Sequence, residues 1–118
     1  MKKVFNSFKY AIRGLKVLAL AERNFKIELG LAVLAFALAY FFRIERWEWG
    51  LVVLAVSLVF LAELINTAIE KTLDHLHPEE HERVGDIKDL SAGAVLLTAL
   101  FALFVGLLIF LPRLVIFT

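Results

Sequence analysis

The chain has 118 residues, a formal net charge of +1, no cysteine, and 61% hydrophobic residues. That apolar share, against roughly 45–50% in soluble domains, excludes a soluble fold of this size and excludes disorder. What is left is an integral membrane protein of one domain, with no polybasic case for nucleic acid and no disulfide, cysteine metal site or thiol nucleophile.

Residues 2–21 predict a basic amphipathic helix. Val4, Phe8, Ala11, Ile12, Leu15, Leu18 and Ala19 fall on one arc, and Lys2, Lys9, Arg13 and Lys16 on the other, at about 100° per residue. Such a helix suits a membrane surface; packing on a soluble partner is the bland alternative. No apolar core of a signal peptide follows Lys2 and Lys3, so the stretch is not read as a secretory signal. A bend is expected between Leu20 and Phe25, although no strong breaker marks it.

Three apolar segments follow, predicted to span a bilayer at about 26–44, 49–71 and 89–112. The first has a short apolar centre and borrows its flanks to reach across. The second is interrupted by Glu63 and Asn66. The third carries no charge over 90–111, and Pro112 is expected to stop it. The expected fold class is an all-α membrane protein, with an N-terminal surface helix and three transmembrane helices.

The connections set an expected orientation. Trp47 and Trp49 among Arg43, Glu45, Arg46 and Glu48 read as an interfacial aromatic belt around a short turn. A longer polar connection, about 71–89, contains Pro78. The N-terminal region and that connection hold ten of the Lys and Arg residues, and the other side holds Arg43, Arg46 and Arg113. The excess places the N-terminus in the cytoplasm and the C-terminus outside.

Glu63 is the charge that needs explaining. It lies about 21 Å below Trp49 along the helix, inside a hydrocarbon layer about 30 Å thick. A carboxylate there is costly unless paired or protonated, and marks a functional candidate. A neutral Glu bonding to a neighbouring helix is the structural alternative. From Glu63, the helical angles to Asn66, Glu70 and Asp74 are about −60°, −20° and +20°. One polar stripe thus joins an embedded acid to an aqueous one.

Glu22 and Glu28 flank Asn24 at the entry to the first span, and Lys88 and Asp89 stand at the entry to the third. Carboxylates with a nearby lysine suit Mg²⁺ carrying phosphates; interfacial salt bridges would use the same residues. His75, His77 and His81 lack an ordered ligand spacing and read as interfacial histidines rather than a transition-metal site. No P-loop, dinucleotide-binding or protein-kinase motif is present. Two readings without phosphoryl transfer compete: a small channel with Glu63 as pore acid, and a structural helix bundle. The channel leaves Glu22, Lys88 and Asp89 without a role.

The stretch Glu63-Leu64-Ile65-Asn66-Thr67-Ala68-Ile69-Glu70, then Asp74, then Lys88-Asp89-Leu90-Ser91-Ala92-Gly93-Ala94-Val95, resembles the signature of the small bacterial integral membrane diacylglycerol kinases and their undecaprenol kinase relatives. That signature reads E-x-x-N-S/T-A-I/V-E-x-x-x-D followed by K-D-x-x-A/S-A/G-A-V, and Glu22-Arg23-Asn24-Phe25 agrees with the pattern near the family's first span. The resemblance implies a homotrimer with active sites shared between protomers. It implies ATP-dependent phosphorylation of a membrane lipid alcohol at the cytoplasmic face of the bacterial inner membrane. It implies Glu63 as catalytic base, Glu22 and Glu70 as metal and nucleotide carboxylates, and Asn66 as the amide beside the base. Asp74, Lys88, Asp89, Glu79 and His81 fall on nucleotide-binding positions, Tyr10 on a nucleotide-touching aromatic of the surface helix, and Ala92 on the second motif. Glu80 and Ile12 depart from aromatics that some members carry there. The chain end from Gly106 to Leu114 looks more like the undecaprenol kinase branch.

Overall fold

The computed structural model describes residues 1–79 and 81–117, with side chains as far as Ile116. Among them all regular structure is helical: α1 (Lys2–Ala21), α2 (Arg23–Phe41), α3 (Arg46–Leu76) and α4 (Glu82–Phe117). The last three are long and apolar enough to cross a membrane, and the protein is a membrane protein. Glu80 lies outside the described residues.

The bend between α1 and α2 falls on one residue. Glu22 is extended, at φ −110° and ψ 113°, while its N–H still bonds to the Leu18 carbonyl. No glycine or proline breaks the helix here; packing does. Leu18 and Phe25 are buried on either side of the bend, and the Phe25 ring lies 5.0 Å from that of Phe60 on α3.

The turn from α2 to α3 is tighter. The Ile44 N–H bonds to the Ala39 carbonyl and the Arg43 N–H to that of Tyr40, the paired bonds of a Schellman ending. Arg43 takes the left-handed position at φ 51°, where glycine is usual and an L side chain costs about 1 kcal/mol. Burial of Ile44 against Ala39 offsets that strain. Glu45 then opens α3 in a capping box with Glu48, and Trp47 Nε1 donates to Glu45 Oε2.

Two expectations about helix ends are corrected. The polar stretch 71–89 is not a long connection: α3 continues to Leu76 and α4 starts at Glu82. At about 1.5 Å per residue, α3 is about 46 Å long and outruns the hydrocarbon layer. Continuing the helix keeps backbone groups bonded that a break at the membrane surface would orphan. Pro112 does not stop α4, which runs through it to Phe117. Proline removes one backbone donor, and this close to the helix end the loss touches only the final turns. Arg113 follows at once, its Nη1 donating to the Ile109 carbonyl.

α3 is the spine. Its buried residues are Glu48, Val52, Ala55, Val59, Glu63 and Thr67, a three-and-four spacing that keeps one seam facing its neighbours. α4 packs along it most extensively, with α2 leaning on both. Ala39, Val52, Ala55, Val105, Ile109 and Phe110 form the core near the tryptophan end. Small residues let the helix backbones approach, as membrane packing requires. Two of the seam's residues are carboxylates, Glu48 at its start and Glu63 one turn before its end. At the first, Arg113 donates from Nη2 to Glu48 Oε1 at 2.6 Å and from Nη1 to Oε2 at 2.9 Å, a two-pronged pair joining α4 to α3.

Candidate active site

Toward the far end of the seam Glu63 is buried, with 7% of its surface exposed. The acid it faces is Glu28, which stands on the same face of α2 as Phe25 and Ala32 and interacts with the Glu63 carboxyl. Glu28 Oε2 is buried and has no hydrogen-bond partner among the described residues; the same holds for Thr67 Oγ1, one turn along from Glu63. Ionised carboxylates offer acceptors only. Two of them facing each other in apolar surroundings call for a cation, a shared proton or an O–H donor.

About one turn along from Glu63, Asn66 bonds within α3 and across to α4. Its Nδ2 donates to Glu70 Oε1 at 3.3 Å, and its Oδ1 accepts from Ser91 Oγ of α4 at 2.6 Å. One donor and one acceptor on opposite sides leave the amide a single consistent orientation. Further out, Lys88 Nζ of α4 bonds to Asp74 Oδ1 of α3. The stripe read from helical angles is therefore a physical one, and α4 supplies its other wall.

Ser91→Ala should lower stability by about 1 kcal/mol, because it strips a half-buried amide oxygen of its donor. Ser91→Thr should keep most of it. Thermal unfolding of both variants in one detergent checks this, and equal melting temperatures would mean that the bond contributes nothing.

The other sequence candidates lie around this stripe. Glu22 is the bend residue between α1 and α2, and Tyr10 is exposed on α1. Glu79 is exposed just past α3, and the Nδ1 of His81 accepts the Arg83 N–H. Asp89 is exposed on α4, lining a shallow hollow with Asp86 and Gly93. Ala92 is exposed beside Ser91. No hydrogen bond joins Tyr10, Glu22, Glu79, His81 or Asp89 to the stripe among the described residues. Within one chain, no group of three or more His, Asp or Glu side chains among the described residues could hold a metal ion. Sequence reading placed Glu28 only among the entry carboxylates suited to Mg²⁺ or to salt bridges, not beside Glu63, and gave Ser91 no role beyond its place in the second motif. For Glu28 the signal was there, since 25, 28, 32 and 39 follow the helical spacing of one face.

Beside the carboxyl pair a groove of about 450 Å³ runs between α2, α3 and α4. Glu28 is the one lining residue with polar side-chain atoms; the rest are aliphatic or aromatic. Two carboxyls, one of them deep in a membrane helix, an amide-bridged polar ladder and an apolar groove make an unusual set for a helix bundle. The family model of the prokaryotic diacylglycerol kinases matches residues 9–110.

The chain belongs to the prokaryotic diacylglycerol kinase family.

Among its relatives is an undecaprenol kinase of Bacillus subtilis, 36% identical over 114 residues, covering 97% of this chain and 93% of that protein. A diacylglycerol kinase of Synechocystis is 35% identical over 109 residues, covering 92% of this chain and 62% of the relative. One of Helicobacter pylori is 33% identical over 100 residues, covering 85% of this chain and 78% of the relative. Kinase activity on a lipid is common to these names, and this member of the family is a lipid kinase.

Proposed function

We propose that the protein transfers the γ-phosphoryl group of ATP to the primary hydroxyl of a membrane lipid alcohol, at the cytoplasmic face of a bacterial inner membrane. The supporting observation is Glu63, buried in the bundle on the side of α3 that also carries the Asn66–Glu70 and Asn66–Ser91 hydrogen bonds. The lipid hydroxyl loses its proton to Glu63 as its oxygen attacks the γ-phosphorus in line. The bond from that phosphorus to the bridging oxygen breaks, and ADP leaves. Glu28 keeps the Glu63 carboxyl in place, and Asn66 holds Glu70. Lys88 and Asp74 meet the nucleotide where both helices leave the membrane, with Asp89, Glu79, His81 and Tyr10 around it.

Carboxylate oxygens are the donors that Mg²⁺ takes, and it needs only one or two of them when phosphates complete its shell. Glu70 and Glu22 fit that role. When bound, the ion offsets charge on the phosphates. Glu70→Ala and Glu22→Ala should each lower activity and raise the Mg²⁺ concentration for half-maximal rate. Unchanged metal dependence in either variant would make that residue a scaffold.

Undecaprenol is the favoured substrate, with diacylglycerol the alternative. A diacylglycerol brings two ester carbonyls that want donors, and the groove's side chains supply none. The basic α1 lies on the cytoplasmic surface, and the protein works as a homotrimer whose sites draw on neighbouring chains. Mixing Glu63→Gln with Glu22→Ala subunits should then recover part of the activity.

The deciding experiment gives purified protein labelled ATP, Mg²⁺ and either undecaprenol or diacylglycerol in the same mixed micelles. Phosphorylated lipid is expected, with the higher kcat/KM on undecaprenol. No lipid product with either alcohol would overturn the kinase mechanism and favour a channel or a structural bundle. A preference for diacylglycerol would reverse the lipid assignment alone.

A further inference from the structure

Thr67 carries a buried polar atom without a partner. It stands on the seam of α3, four residues past Glu63, and is 6% exposed. Its Oγ1 is closed to water and makes no hydrogen bond among the described residues. Native interiors leave few such groups alone. The usual outlet for a helical hydroxyl is a carbonyl of the preceding turn. Ser7, Thr72 and Thr98 take that route, donating to the carbonyls of Lys3, Ala68 and Val95. Thr67 does not, so its donor is unspent.

We propose that Thr67 is a positioning residue for Glu63. In the reacting complex its hydroxyl turns about χ1 and donates to one oxygen of the Glu63 carboxylate, leaving the other oxygen to take the lipid hydroxyl's proton. This rests on the kinase reading, in which Glu63 is the base.

Helix geometry puts the two groups within reach. Residues four apart share a face, with Cβ atoms about 5–6 Å from each other. Helical side chains lean toward the N-terminus of their helix, so Thr67 leans toward Glu63. Glu63 needs a donor and its surroundings offer little else. The group its carboxyl meets is Glu28, a second acid. Asn66 spends its amide N–H on Glu70 and its oxygen on Ser91. Of the buried residues along the seam, Thr67 alone has a hydroxyl. An O–H donor steadies the ionised carboxylate that a base has to be, and it fixes which oxygen faces the substrate. Water is shut out of Thr67 Oγ1, so it does not compete for the bond.

The test measures kcat, KM and melting temperature for wild type, Thr67→Val, Thr67→Ser and Thr72→Val in the same mixed micelles. The acceptor is whichever of undecaprenol and diacylglycerol wild type phosphorylates faster. Valine keeps threonine's shape and loses the hydroxyl. Thr67→Val should lower kcat about tenfold, as for one hydrogen bond to a charged group, with KM for lipid and for Mg-ATP little changed. It should melt no earlier than wild type, because the hydroxyl it removes has no partner in the resting protein. Thr67→Ser should restore most of kcat. Thr72→Val removes a hydroxyl already spent on Ala68 and should keep the wild-type rate.

A second background separates positioning from packing. If Thr67 acts through Glu63, its hydroxyl matters only while the carboxylate is present. Glu63→Gln combined with Thr67→Val should then turn over at the rate of Glu63→Gln alone. Thr67→Val at the wild-type kcat, a further loss of the same size on Glu63→Gln, a loss that serine does not restore, or a loss matched by earlier melting would each overturn the proposal. If wild type phosphorylates neither lipid, the kinase reading fails and this falls with it. Phosphorylation by wild type with an undiminished rate in Thr67→Val sinks the role of Thr67 alone.

Discussion

Glu63→Gln should lower kcat by about 10²–10⁴-fold, the usual range for loss of a general base, with the KM for Mg-ATP little changed. The amide keeps the side chain's shape but cannot take the hydroxyl proton. The surroundings of Glu63 separate this effect from unfolding. It faces Glu28, whose Oε2 is buried without a donor. A glutamine removes one of two facing acids and brings an N–H that Glu28 can accept, so the variant should unfold no earlier than wild type, and gain up to about 1 kcal/mol. Inactivity with undiminished stability is the expected signature. Turnover near the wild-type rate would remove Glu63 from the chemistry.

Arg113→Ala should be the most damaging change to stability away from the carboxyl ladder. Glu48 keeps only 7% of its side chain exposed, and Arg113 keeps 28%. Glu48 also sits in the first turn of α3, where the helix dipole favours an acid. Removing the guanidinium leaves a buried carboxylate with neither of its two strong donors. Breaking such a pair costs about 3–5 kcal/mol, and the partial exposure of Arg113 points to about 3. Glu48→Gln combined with Arg113→Ala should recover a good part of the loss, because no buried charge is then stranded. Unfolding curves of the three variants in one detergent give the coupling. If Arg113→Ala loses no more than Lys88→Ala, whose ion pair is solvent-exposed, the clamp is only a surface contact.

What was legible in sequence follows from period and cost. The helical character, the three spans and the stripe of Glu63, Asn66, Glu70 and Asp74 all come from 3.6-residue periodicity and from the expense of a carboxylate in hydrocarbon. These are local properties of one helix, and they do not depend on what packs beside it. The motif around Glu63 carried the family for the same reason, being contiguous in the chain.

Helix ends were less legible, because composition locates where the membrane stops and not where hydrogen bonding stops. Polar residues beyond the bilayer keep the helix going in α3 and α4, and Pro112 so near a terminus breaks too little to end one. The left-handed turn at Arg43 went unannounced, since glycine is the usual sign and burial of Ile44 is what holds the turn.

Only the tertiary structure decided which groups meet between helices. It sets Glu28 against Glu63, Ser91 against Asn66 twenty-five residues away, and Arg113 against Glu48 sixty-five away. Such contacts depend on how the helices rotate and slide against one another. That is settled by shape where the helices meet, with Ala39 against Ala55 and its neighbours in the core, and by the requirement that buried polar groups find partners. Sequence by itself determined that an acid stands in the membrane. The packing of α2 and α4 around it determined that the acid has a second carboxyl beside it, an amide about one turn along that bonds across to α4, and an apolar groove leading away.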